Sequence, residues 1–163
     1  MILRYFNPIG AHQSSLIGED PRNIPQNLVP IITQFAIGKL EKLTVYGDDY
    51  PTKDGTCVRD YIHIMDLADA HISALEYLFS TNTNSFYDVF NVGTGEGKTV
   101  KEVIDSFIKV SGKKIQYDIS SRRKGDVISA FADTSKAKKI LNWTSKVSFE
   151  DAILSAWKWE QNK

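Results

Sequence analysis

The sequence predicts an α/β fold, and three observations carry that prediction. Short apolar or alternating runs of strand length recur over residues 2–6, 43–46 and 87–92. Between them lie longer stretches whose apolar residues recur at three and four, the helical period. Gly, Pro, Asn or Asp marks the changes of period, as expected of residues that end strands and cap helices.

Taken in order, Ile2 to Phe6 reads as a buried strand stopped by Asn7-Pro8, and the chain is expected to begin mid-fold. A polar connection bearing Gly and Pro covers 9–26. Leu28, Ile31, Ile32, Phe35 and Ala36 then fall at helical spacing up to Gly38, with Pro25 and Pro30 admissible only near the first turn. Leu43 to Tyr46 alternates like a strand, and 47–55 is a turn cluster. Arg59 starts a further alternating segment. From Asp66, the positions Leu67, Ala70, Ala74, Leu75 and Leu78 predict a helix with one buried stripe, flanked by His71. Tyr87 to Val92 reads as a strand. Thr99 with Glu102 forms the capping box of a helix that turns Val100, Val103, Ile104 and Phe107 inward and stops at Gly112. Ile115 to Tyr117 predicts a short strand, and Asp133 caps a short helix ending near Trp143. Ser148 with Asp151 opens a last helix carrying Phe149, Ala152, Ile153, Ala156 and Trp157 on one face.

The 163 residues are one domain's worth and suffice to bury roughly 70% of the unfolded surface. Twenty basic and twenty acidic side chains cancel, which excludes the broad cationic field of non-specific nucleic-acid binding. Neither a secretory leader nor a membrane-length apolar run is present, so no membrane partner is expected and a cytoplasmic location is. The single Cys57 has no partner for an internal disulfide and reads as a reduced, structural cysteine.

Positive charge concentrates in two places. A turn-rich loop delivers Arg59 to the start of a strand, a position that suits an anion; a surface pairing with Asp60 explains it equally well. The second place is Arg122-Arg123-Lys124-Gly125-Asp126. Two arginines from distant loops suit a diphosphate through charge-assisted hydrogen bonds worth roughly 1.5–3 kcal/mol each. Asp126 could then take hydroxyl protons from a sugar, with a solvated charged turn as the competing reading. The aspartates of 48–54 do not match a calcium loop and the histidines lack partners at ligand spacing, so no metal site is expected. Gly93-Thr94-Gly95-Glu96-Gly97 could cradle a phosphate. Its spacing fits neither phosphate-binding fingerprint and Glu96 would repel an anion, so a tight turn is the expected role.

The strings Arg4-Tyr5-Phe6-Asn7-Pro8-Ile9-Gly10-Ala11-His12, Val45-Tyr46-Gly47-Asp48-Asp49-Tyr50, Asp54-Gly55-Thr56-Cys57-Val58-Arg59-Asp60-Tyr61-Ile62-His63, Phe90-Asn91-Val92-Gly93-Thr94-Gly95 and Arg122-Arg123-Lys124-Gly125-Asp126 closely resemble the UDP-glucose (UDP-galactose) 4-epimerase family. The resemblance runs from Ile2 to about Trp159 and covers only the carboxy-terminal half of that pattern. It implies the substrate-binding part of an extended short-chain dehydrogenase/reductase, carrying the last strands of an otherwise missing Rossmann sheet. Residues 1–163 would form the UDP-sugar-binding region, without the amino-terminal NAD-binding domain.

The family interconverts UDP-galactose and UDP-glucose through a 4-keto intermediate with bound NAD, using a Tyr-x-x-x-Lys pair. None of the ten glycines here is spaced G-x-x-G, and none of the seven tyrosines has a lysine four residues later. No catalytic residue is therefore assigned, and the chain is expected to be inactive alone; a non-catalytic nucleotide-sugar-binding or interaction module is the alternative. By resemblance, Tyr5 and Phe6 border the nicotinamide and Asn7 hydrogen-bonds the UDP-sugar. Asn27 and Leu28 lie by the diphosphate. Thr44, Val45 and Tyr46 line the uracil pocket, with Tyr46 stacking on the base. Arg59 and Arg123 hold the diphosphate, Asp126 meets the ribose, and the small Ala130 leaves room for an N-acetyl group at the sugar's C2. Uncovered Rossmann strands would be relieved by a homo-oligomer or by a separate amino-terminal Rossmann half.

Overall fold

One strand, Val58–His63, organises the molecule, because both of its faces and both of its edges are used. The computed structural model describes residues 1–81 and 85–163. In chain order its elements are β1 (Ile2–Tyr5), β2 (Asn7–Ile9), α1 (Leu28–Ala36), β3 (Thr44–Tyr46), β4 (Val58–His63), α2 (Ile64–Ser80) and β5 (Val89–Val92). They continue as β6 (Gly97–Thr99), α3 (Val100–Ser111), β7 (Asp118–Ser120), β8 (Ser129–Ala130), α4 (Ser135–Leu141) and α5 (Phe149–Asn162).

The second half of β4 pairs in parallel with β2, Tyr61 opposite Asn7 and His63 opposite Ile9. Its first half pairs antiparallel with β6 and parallel with β8, placing Ala130 opposite Arg59. Among the described residues two separate ribbons complete the sheet structure: β1 with β5, and β3 with β7, both parallel. Alternation along β4 then separates two cores. Tyr61 faces a cluster built from α1, α3 and α5, in which Phe107 and Trp157 meet edge to face at 5.3 Å. Ile62 faces the other cluster, which joins Leu67, Ala70 and Ala74 of α2 to Phe90 of β5 and Leu141 of α4.

Helix ends follow local chemistry. Thr99 accepts from the Glu102 N–H while Glu102 reaches back to the Thr99 N–H, and Gly112 ends α3 in the left-handed region at φ 68°. Ser148 caps α5 by accepting from the Asp151 N–H. Pro30 is the third residue of α1, where its missing N–H costs no intrahelical bond. His63 serves as the side-chain cap of α2, its Nδ1 accepting from the Met65 N–H. The expected cap, Asp133, lies one residue before the N-cap position, Thr134, and accepts from the N–H of Ser135, the first residue of α4.

Four expectations are corrected. The strand at 2–5 is not buried: Ile2 is 44% and Tyr5 55% exposed, because β5 is its pairing partner and no second layer closes over that face among the described residues. Asn7-Pro8 does not stop the extended chain, which resumes as β2 after Phe6 and moves to β4; Pro8 is tolerated within this short paired segment. The strand expected at 115–117 lies at Asp118–Ser120, set by parallel pairing with β3, while Ile115 and Tyr117 pack on the core. Leu75 is 52% exposed rather than inward, since α2 buries only the narrower stripe of Asp66, Leu67, Ala70 and Ala74. No helix among the described residues is long and apolar enough to cross a membrane.

Candidate functional site

Residues at two-residue spacing along β4 point to one side, and Arg59 and Tyr61, with Cys57 just before the strand, line the same cleft of about 150 Å³. The start of α1, with Asn27, Leu28 and Val29, and β2, the strand paired to β4, with Asn7, line it too. Thr44, Val45 and Tyr46 of β3 close one end, and Arg123 and Asp126 close the rim.

The pairing explains why these distant segments meet. The loop 121–128 leaves β7, which lies beside β3 with Ser120 opposite Tyr46, and enters β8, which lies beside β4 with Ala130 opposite Arg59. Arg123 and Asp126 are therefore held between Tyr46 and Arg59. A second tether comes from Arg122, whose Nε donates to Asp49 Oδ1 at 2.7 Å while its guanidinium lies over the Tyr50 ring at 4.1 Å. Arg122 thus belongs to the scaffold, and Arg123 to the cleft.

The charges converge on one spot. Arg59 Nη1 donates to the carbonyls of Val58 at 2.8 Å and Val127 at 2.9 Å, which fixes the guanidinium in place. Arg123 donates to Asp126 through Nε at 2.9 Å and lies over the Tyr46 ring at 5.0 Å. That hydrogen bond, opposed by burial, raises the Arg123 pKa above its ordinary value. Asn27 makes no side-chain cap and the first turn of α1 carries no acidic residue, so the helix presents first-turn amides at the cleft wall. Two guanidiniums and a helix N-terminus together favour an anion there.

Tyr61 lines the cleft two residues along β4 from Arg59. Burial pushes its phenol up to about 12, more than the nearby Arg59 charge pulls it down, so at neutral pH it is a hydrogen-bond donor.

The alternative pairing of Arg59 with Asp60 is not formed, since neighbours on a strand face opposite ways. Asp60 is fully buried on the other side of β4, where it accepts from the N–H groups of Thr94, Gly95 and Ala132 and from the Thr94 hydroxyl. The glycine turn after β5 is a tight turn, as expected, and the Thr94 and Gly95 amides already hold an internal carboxylate. Gly93 permits the approach: a Cβ there would lie 2.4 Å from Asp60 Oδ2.

Among the residues singled out from sequence, Asn7, Asn27, Leu28, Thr44, Val45, Tyr46, Arg59, Arg123 and Asp126 meet in the cleft wall. Ala130 lies beside it, opposite Arg59 on β8. Tyr5 and Phe6 lie outside it, at the carboxyl end of the β1–β5 ribbon, where the Phe6 N–H donates to the Val92 carbonyl. That end of a parallel sheet is where nucleotides bind in open α/β folds. With the Thr94 and Gly95 amides engaged by Asp60, no glycine turn at this end offers a dinucleotide phosphate cradle among the described residues. Cys57 and Tyr61 were legible as cleft residues from their two-residue spacing around Arg59. Next to the cleft, a more apolar recess of about 490 Å³ shares Pro8, Ile9 and Asn27 with it and extends to Ile64 and Met65.

The sequence pattern of GDP-mannose 4,6 dehydratase matches residues 1–155. The chain is 52% identical over 162 residues to UDP-glucose 4-epimerase GEPI42 of Cyamopsis tetragonoloba, covering 99% of this chain and 46% of that protein. It is 50% identical over 161 residues to UDP-glucose 4-epimerase of Bacillus subtilis, covering 99% of this chain and 47% of that one. The crystal structure of UDP-glucose 4-epimerase from Stenotrophomonas maltophila, with bound NAD and formylated UDP-arabinopyranose, superposes with a TM-score of 0.94 at 46% identity. That match covers 98% of this chain and 47% of the other. The chain thus spans about half the length of the relatives it matches, and the matched part is carboxy-terminal.

Proposed function

The chain belongs to the GDP-mannose 4,6 dehydratase family of extended short-chain dehydrogenases/reductases, and we propose that it is the UDP-sugar-binding region of a UDP-glucose 4-epimerase. The observation that carries this reading is the convergence of Tyr46, Arg59, Arg123, Asp126 and the α1 N-terminus on one cleft. Each of those groups has a counterpart in the chemistry of a UDP-sugar. Tyr46 offers a ring for the uracil, the two guanidiniums and the helix amides offer donors for the diphosphate, and Asp126 offers an acceptor for ribose hydroxyls. Asn7 is left for the hexose.

On this reading residues 1–163 bind and orient the UDP-sugar, and the base and most of the cofactor site belong to a Rossmann half. NAD, when bound, supplies a hydride acceptor and donor; Tyr5 and Phe6 contribute an aromatic border to it. The Tyr61 phenol, protonated at neutral pH, does not substitute for the missing Tyr-x-x-x-Lys base, so the chain alone is inactive. The exposed face of β1 is the surface on which a Rossmann half or a second copy would sit. Ala130, small and opposite Arg59, leaves room for UDP-N-acetylhexosamines.

Calorimetric titration with UDP-glucose tests the reading. Binding by the intact chain that is lost on Arg59→Ala is the expected result; no binding, or binding indifferent to Arg59→Ala, would sink it. The absence of a Tyr-x-x-x-Lys pair also favours a second reading, a nucleotide-sugar-binding module without redox chemistry. Failure to gain epimerase activity when a Rossmann half of the family is supplied would select that reading.

A further inference from the structure

Asp126 occupies the place in the cleft that an incoming diphosphate needs. Its carboxylate accepts from Arg123 Nε at 2.9 Å and Nη2 at 3.3 Å, and its Oδ1 lies 3.6 Å from Arg59 Nη2. One carboxylate is thus shared by both guanidiniums, with the side chains of Arg59 and Asp126 only 19% and 17% exposed. Arg59 does not depend on Asp126 for its position, whereas the more exposed Arg123 is held by its Asp126 hydrogen bonds together with the Tyr46 ring. Arg59 is fixed by the Val58 and Val127 carbonyls, and Arg123 rests against the Tyr46 ring.

Displacing the carboxylate has a cost that depends on what arrives. A largely buried carboxylate deprived of its donors is unfavourable unless new donors replace them. A diphosphate attached to a ribose brings hydroxyl groups, which can donate to Asp126 as it turns away from the arginines. Inorganic pyrophosphate brings no such donors and leaves a third anion beside its own charge.

We propose that Asp126 is a specificity-determining residue: it is the counter-ion of Arg59 and Arg123 in the free cleft and yields only to a diphosphate that carries a ribose. The cleft thereby rejects pyrophosphate while accepting nucleoside diphosphates. This rests on the reading of the cleft as a UDP-sugar site and adds a selection against bare phosphates that a simple ribose ligand would not make.

The test is calorimetry on the whole chain with UDP and with inorganic pyrophosphate, comparing the natural sequence with Asp126→Asn. Removing the competing charge should tighten pyrophosphate binding about tenfold, the equivalent of one charge-assisted hydrogen bond, while UDP gains less or loses affinity. Pyrophosphate affinity that is unchanged, weaker, or absent in both proteins overturns the proposal. Asp126→Ser, with the same expectation, replaces the amide variant if that one does not fold. The two readings fail separately. UDP binding that ignores Arg59→Ala refutes the cleft assignment, whereas UDP binding that needs Arg59 together with a pyrophosphate affinity indifferent to Asp126 refutes only the counter-ion.

Discussion

Asp60 Oδ1 accepts both the backbone N–H of Thr94 at 2.9 Å and its hydroxyl at 2.6 Å, tying β4 to a turn 34 residues further along the chain. The other oxygen takes the Gly95 and Ala132 amides. Removing this carboxylate leaves several buried N–H groups unpaired, each costing roughly 1–3 kcal/mol. Asp60→Ala is therefore expected to destabilise the fold by about 3 kcal/mol or more, and Asp60→Asn by about half as much. Urea midpoints at unchanged m-value measure both; a loss under about 1 kcal/mol for the alanine variant would contradict the role given to Asp60.

Tyr46 and Arg59 should separate in their effects on ligands. Arg59→Ala is expected to weaken UDP-glucose at least about tenfold, since it removes a charge-assisted contact to the diphosphate. Tyr46→Ala should weaken uridine-bearing ligands by a similar factor through lost stacking, roughly 1–3 kcal/mol, with little effect on pyrophosphate when both ligands are compared in the Asp126→Asn background, which admits pyrophosphate. Equal losses on both ligands for the tyrosine variant would refute base stacking.

His63 makes the fold acid-sensitive. Burial lowers its pKa below the ordinary 6.5, outweighing the pull of Asp66 and Asp151. As pH falls below about 6.5, the unfolded chain binds this proton more readily than the folded one, so stability declines. The carboxylates with lowered pKa values, such as Asp54, contribute their loss at lower pH still; there, burial is outweighed by hydrogen bonds from Thr99 and Thr56. Thermal midpoints should fall between pH 7 and pH 5.5, and His63→Asn should flatten that slope at some cost in overall stability. An unchanged slope in the variant would exclude His63 as its source.

Gly55 bears the tightest turn near the cleft. Its φ is +84°, and an added Cβ would lie 1.9 Å from the Asp48 carbonyl oxygen. Gly55→Ala should cost about 2 kcal/mol or more through strain and displaced backbone, measured by urea denaturation. A near-neutral effect would show that the 47–55 turn relaxes freely.

Ala130→Tyr tests the proposed room for an N-acetyl group. In an enzyme completed with a Rossmann half, the substitution should raise KM for UDP-N-acetylglucosamine at least about tenfold and leave UDP-glucose within about threefold, as expected for steric rejection of a group the pocket otherwise admits. Equal changes for the two sugars would remove Ala130 from this role.

Much of this arrangement was legible in the sequence where the cause is local. Thr99 with Glu102, Ser148 with Asp151 and Gly112 each announce a helix end through neighbouring residues, and the structure has those ends. The separate positive sites at Arg59 and Arg123 were legible as charge, while their meeting depends on β3–β7 and β4–β8 pairing, which no local pattern encodes. The same reason moved the expected strand from 115–117 to 118–120. The sequence left the pairing of Asp60 with Arg59 open as an alternative because the donors to Asp60 come from Thr94, Gly95 and Ala132, all remote in sequence. Exposure of β1 was hidden too, since an apolar run does not reveal how many layers cover it.

The loop carrying Arg123 and Asp126 is moored at both ends by strand pairs and, just after β7, by Arg122 on Tyr50. Its conformational entropy is consequently surrendered when the chain folds, not when a ligand arrives. Association should then proceed without a slow ordering phase, with a single-exponential approach to equilibrium whose rate rises linearly with ligand concentration and falls with added salt.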